Sequence, residues 1–228
     1  MTEQPDRPDD PIGRVPWPMF GPLIVQRMIN RTRQNQQPST NPPSRDASES
    51  SRMKTDKAID PSTALILAHQ QLQATRKYIQ DLLDNTSLDL WYQWPSGVGS
   101  HMAWQVGHLA MAQYRLCIVF VRPELPGDQR IISADFLKAF GRGSQARPES
   151  PDTLPAAELL RRYNAVCDHV MDHWNLYEEL DMLAPALVQN HRIVRSRLDA
   201  LFWASRHAMI HAGQIGLIRR GLGLEPIW

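Results

Sequence analysis

From Asp60 onward, apolar positions recur every three or four residues, the period of a helix with one buried face. Leu65, Ala68, Leu72, Arg76, Ile79, Leu82 and Leu83 mark a first helix, with Asp60 suited to its cap and Pro61 to its first turn. Pro95, Gly97 and Gly99 break the period. Ser100 is the expected cap of a second helix, "HMAWQVGHLAMAQYRLCIVFV", which ends before Pro123. A connection rich in Gly, Pro and Ser follows from about 122 to 153, and so long a stretch in a compact domain is expected to be functional or disordered. A third helix is predicted from near Leu154 and Pro155 through Leu180, on Leu159, Tyr163, Val166, Val170, Trp174 and Tyr177. The fourth runs from about Val194 to Arg220 and stops at Gly221 and Gly223, with Pro226 beyond. No segment alternates as a strand does. The pattern predicts an all-α protein, a four-helix bundle over residues 59–228 with a long crossover connection between helices 2 and 3.

Residues 1–58 follow no such pattern. Half of the 18 prolines lie there, in runs such as "NQQPSTNPPSRDASESS". A segment of this kind buries too little apolar surface to offset the entropy of ordering it, so a disordered extension is expected. One apolar island, "VPWPMFGPLIVQRMIN", interrupts it, and Met53 opens a stretch that resembles a natural start.

Charge narrows the function classes. A net charge of +1 gives no large field of either sign, which argues against a nucleic-acid or membrane-surface partner. No apolar run approaches the roughly 20 residues of a membrane span. The acidic, proline-rich N-terminus does not read as a secretory signal, so a cytoplasmic location is expected. The two cysteines, Cys117 and Cys167, are too few for a cysteine zinc site and are expected to be buried and reduced.

The chemistry lies in the histidines. His207 and His211 are four apart on helix 4, hence on one face, and Gln214 sits near the same stripe. A histidine on a core face needs a partner, which either a metal or a hydrogen bond supplies. His169 and His173 have the same spacing but stand beside Asp168 and Asp172, as on a solvated helix flank. On helix 2, Trp104, His108, Met111 and Arg115 follow an inward rhythm, and Gly107 lets a neighbouring helix or a ligand come close. His101 is expected to cap or to be exposed, and His69 and His191 read as surface residues.

"SHMAWQVGHLAMAQY", followed near the chain end by "HAMIHAGQIGLIRRGLGLEP", resembles the DinB-like (YfiT/DinB) superfamily of metal-dependent four-helix bundles. The likeness covers about residues 60–226, and "FGRGS", Phe140 to Ser144, resembles the connection of the branch with the second DinB-like profile. It implies one divalent metal held by His108, His207 and His211, with Trp104 and Gln214 beside the pocket; imidazole ligands suit zinc and nickel, and iron also fits. Ala208 stands where many relatives carry glutamate, which removes a carboxylate from beside the site, and no catalytic residue is assigned.

Three neutral imidazoles leave a divalent ion its charge and an open position. The resemblance implies a thiol S-transferase that joins a low-molecular-weight thiol to a small electrophile. Arg130, Arg142 and Arg147 in the long connection are candidates to contact an acidic thiol. A non-catalytic, stress-related bundle that binds a metal or a partner remains the alternative. Trp91, Trp94 and Trp228 are expected on a spare apolar surface that would serve a homodimer.

Overall fold

The computed structural model describes residues 59–227, so the expectations for residues 1–58 and for Trp228 lie outside it. Among the described residues the chain is all-α, and no helix is long and apolar enough to cross a membrane. Four longer helices form the core: α1 (Pro61–Asp84), α2 (Met102–Tyr114), α3 (Ala156–Asp172) and α4 (Arg197–Gly221). α1 packs on α4, while α2 packs on both α3 and α4. An isolated antiparallel bridge between Pro185 and Ser196 closes the segment that leads into α4.

Local chemistry sets the helix ends. The Asp60 carboxylate accepts from the Thr63 amide at 3.1 Å, and Pro61 follows in the first turn. Ser196 and Asp199 form a reciprocal capping box at α4. At α2 the cap is His101 and not Ser100: its Nδ1 accepts from the Trp104 amide at 3.2 Å. That ring is 2 % exposed, so His101 caps from inside the protein. Beyond Tyr114 the backbone widens into a π-helical turn over Arg115–Val119, which ends the regular helix earlier than the apolar pattern predicts.

The third helix also stops short. At His173 the backbone leaves helical geometry (ψ 23°), and Trp174 and Tyr177 then turn into the core from a separate turn, Asn175–Glu178. The imidazole of His173 donates from Nδ1 to the carbonyl of His169 at 2.9 Å, beside the His173 amide that donates to the same oxygen at 3.3 Å. Trp91 is a second departure. It is fully buried, with its indole N–H directed at the Thr86 carbonyl, and it belongs to the core; Trp94 remains 42 % exposed.

The 122–153 connection is folded. It contains two short helices, Asp128–Ile131 and Ala134–Ala139, and buries Ile132 and Phe136. Its start is fixed by a buried ion pair in which Arg122 donates both terminal nitrogens to Asp128 at 2.8 and 2.9 Å. The Leu125 amide and His169 Nε2 complete the carboxylate's contacts at 2.8 and 2.9 Å. His169 thus anchors the connection to α3 and is not simply a solvated flank residue.

Burial alone would raise the Asp128 pKa. Arg122, the Leu125 amide and His169 outweigh it and hold the carboxyl at about 2, below its ordinary 3.8. The folded carboxyl is therefore the stronger acid. Its stabilisation is present above about pH 4 and is lost as pH falls toward 2, a loss visible as a falling denaturation midpoint across that window. Asp128→Ala leaves Arg122 uncompensated and is expected to cost about 3–5 kcal/mol in urea unfolding at pH 7, more than the paired replacement Arg122→Met with Asp128→Leu.

Candidate metal centre

α2 lies at the centre of the bundle, and every one of its residues is buried except Trp104 and His108. This helix reaches the surface only along one stripe, and that stripe carries the candidate ligand. His108 faces His207 and His211 of α4, with ring centroids 5.3 and 4.7 Å away. One nitrogen from each of the three lies within 4.8 Å of the others, and this is the only such cluster of potential ligands among the described residues. His169 and His173 belong to no such group.

The outer partners select which nitrogens are offered. His108 Nδ1 donates to the Phe140 carbonyl at 2.8 Å, and His211 Nδ1 donates to the Gln105 Oε1 at 2.6 Å. A carbonyl oxygen can only accept, so both rings are fixed with Nδ1 protonated and Nε2 bearing the free lone pair. The Nε2 atoms of His211 and His207 stand 3.3 Å apart. Two nitrogens on a tetrahedral ion at about 2.0–2.1 Å are about 3.3–3.4 Å from each other, so this edge fits a metal as it stands.

The electrostatics agree. Burial, then His207 and His108, lower the His211 pKa to about 3, with Gln214 opposing. Burial, then His108 and His191, hold His207 at about 4. His108 is lowered by burial against the pull of its bond to Phe140. At neutral pH all three are uncharged, the protonation state that metal ligation requires.

Gly107 explains how Phe140 reaches His108. A Cβ at residue 107 would overlap the Phe140 ring, so only glycine lets this residue of the connection lie flat on α2. The close neighbour is therefore the connection, and neither a helix nor a ligand. Three ties fasten residues 140–147 to one stripe of α2. Phe140 O accepts from His108 Nδ1; Trp104 Nε1 donates to Ser144 Oγ at 3.3 Å; His101 Nε2 donates to Arg147 O at 2.7 Å. Trp104 stacks on His108 with centroids 4.9 Å apart and planes 16° apart.

A family model described as the DinB superfamily matches residues 71–215. The chain belongs to the DinB superfamily. Curated proteins and solved structures give no match. The matched span of this DinB chain contains all three histidines of the cluster, Trp104, and the whole 122–153 connection. DinB proteins as a superfamily are generally metal-binding, and this triad can hold an ion.

Two residues escaped the spacing of the sequence. Gln105, one turn before His108, is 3 % exposed and supplies the amide that orients His211, whereas Gln214 sits on the exposed side of α4. A glutamine inside an otherwise apolar helix was the available signal, since a buried amide must have a partner. His191, expected at the surface, is half-buried and close enough to His207 to lower its pKa. Its own pKa is lowered by burial and then by Arg142 and Arg115. Cys117 and Cys167 are free and buried, as expected, and burial pushes the Cys167 thiol up to about 12.

Gly107→Ala is expected to cost about 1–3 kcal/mol, because the Phe140 ring must give way. In a double-mutant cycle, Phe140→Ala should cost distinctly less in the Gly107→Ala background than in the native one, measured by urea unfolding. Additive losses would show that the two residues do not press on one another.

Proposed function

We propose that this DinB protein binds one divalent metal through Nε2 of His108, His207 and His211, and uses it as a thiol S-transferase on small electrophiles. The observation that carries the metal reading is the outer bonding of the triad. Phe140 O and Gln105 Oε1 hold two rings in the one tautomer that turns their lone pairs inward. An uncharged imidazole set suits zinc, nickel or iron(II). When bound, the ion would act as a Lewis acid and lower the pKa of a thiol brought to its open position.

The chain's own residues do the rest. Trp104 stacked on His108, with Trp203 beyond His207, walls the site with aromatic surface. The buried cysteines, with thiols held protonated, are poor nucleophiles, so the reacting thiol must come from solution. Their reduced state fits the cytoplasm. The ligand cluster contains no carboxylate, and Ala208 follows His207. That observation favours a second reading, a bundle that binds metal without turnover.

Full-length protein purified without a histidine tag should take up one equivalent of zinc or nickel per chain, and His211→Ala should abolish this. Gln105→Leu keeps all three ligands and is expected to lower metal affinity about 10–100-fold in competition with a chelator. Metal-dependent conjugation of a low-molecular-weight thiol to a chromogenic electrophile, lost in His211→Ala, is the expected activity. Tight binding with no turnover across a panel of thiols would select the second reading, and failure to bind any divalent metal would overturn both.

A further inference from the structure

A cavity of about 850 Å³ opens beside the histidine cluster and contains none of its three rings. Its shared wall with the cluster is Trp104, which stacks on His108, and Phe140, whose carbonyl accepts the His108 hydrogen bond. Tyr92 and Phe136 add aromatic surface. Four cations line the cavity: Lys138, Arg142, Arg147 and Arg162. Arg162 is committed to Glu158 at 2.7 Å, but Lys138, Arg142 and Arg147 form no ion pair among the described residues. Two carboxylates, Asp135 and Asp152, also line the cavity and are likewise unpaired.

Arg142 and Arg147 differ from ordinary surface arginines in the backbone that carries them. Residues 140–147 are tied to α2 through Phe140 O, Ser144 Oγ and Arg147 O, and Gly143 takes a left-handed turn (φ 85°) between the two arginines. Two guanidinium groups are thus carried on a fixed loop over a floor of aromatic rings. A guanidinium fork matches a carboxylate or a phosphate, and holding its backbone in advance removes part of the ordering cost of binding.

We propose that this cavity binds a small organic anion, a carboxylate or phosphate monoester carried on a flat apolar body, with Arg142 and Arg147 on the anion and Trp104 and Phe140 against the body. The site stands independently of the metal reading, since no histidine of the triad lines it. It is also placed to serve that reading, because a ligand here would lie one aromatic layer from His108.

The test is isothermal titration calorimetry on the full chain with benzoate, phenyl phosphate and neutral benzyl alcohol. At least one anion should bind, and the alcohol should bind at least about tenfold more weakly. Arg142→Ala with Arg147→Ala should weaken the anion about tenfold or more while leaving the thermal midpoint unchanged. His211→Ala should bind the anion as the native chain does, which separates this site from the metal centre. Tighter binding of phenyl phosphate would name a phosphate ligand, and tighter binding of benzoate a carboxylate. No heat from either anion up to about 10 mM, equal binding of the alcohol, or an unchanged double variant would overturn the proposal.

Discussion

The described residues depend on one constraint: a helix buried on nearly every side still carries polar rings, and those rings must find partners. His101, Trp104 and His108 occupy one stripe of α2, at intervals of three and four residues. His101 is buried and Trp104 and His108 are half-buried, and the N–H groups of this stripe are satisfied by the connection that crosses it. The glycine at 107 makes the crossing close enough. The same contacts do two further things. They fix the tautomer of His108, and they hold Arg142 and Arg147 over the neighbouring cavity. Loop order, ligand orientation and pocket shape are therefore consequences of one packing event.

Opposite this stripe, α4 contributes its pair of histidines from a helix whose start is fixed by a capping box. His211 is buried and would be costly without a partner. Gln105, reaching across from α2, removes that cost and also decides which nitrogen remains available. The arrangement brings Nε2 of His211 and Nε2 of His207 to 3.3 Å, a distance that either a proton on His207 Nε2 or a shared cation bridges. Desolvation keeps the rings uncharged, and the proposed divalent ion would accept a lone pair from each of the three at once.

Much of the fold was legible because it rests on periodicity. The α1 cap follows from residue type and position, the spacing puts His207 and His211 on one face, and the likeness to the DinB-like superfamily joins His108 to them. The failures have physical causes. Ser100 is a better generic cap than His101, but tertiary burial of the imidazole decided the matter. The third helix was overextended because Trp174 and Tyr177 keep the apolar period even though the backbone turns at His173. Trp91 is expected on a spare apolar surface, yet a buried tryptophan needs only one acceptor, and the Thr86 carbonyl supplies it. The connection was hardest to read: its key contribution to the site is a backbone carbonyl at Phe140, which residue identity does not encode.

The central claim is that three imidazoles, each through Nε2, hold one divalent ion with a position left open. X-ray absorption at the zinc edge of the loaded full-length protein tests it most directly. The account predicts three imidazole nitrogens at about 2.0–2.1 Å and one further light ligand in a four-coordinate shell. Sulfur in the first shell, or six oxygens with fewer than three imidazoles, would contradict it.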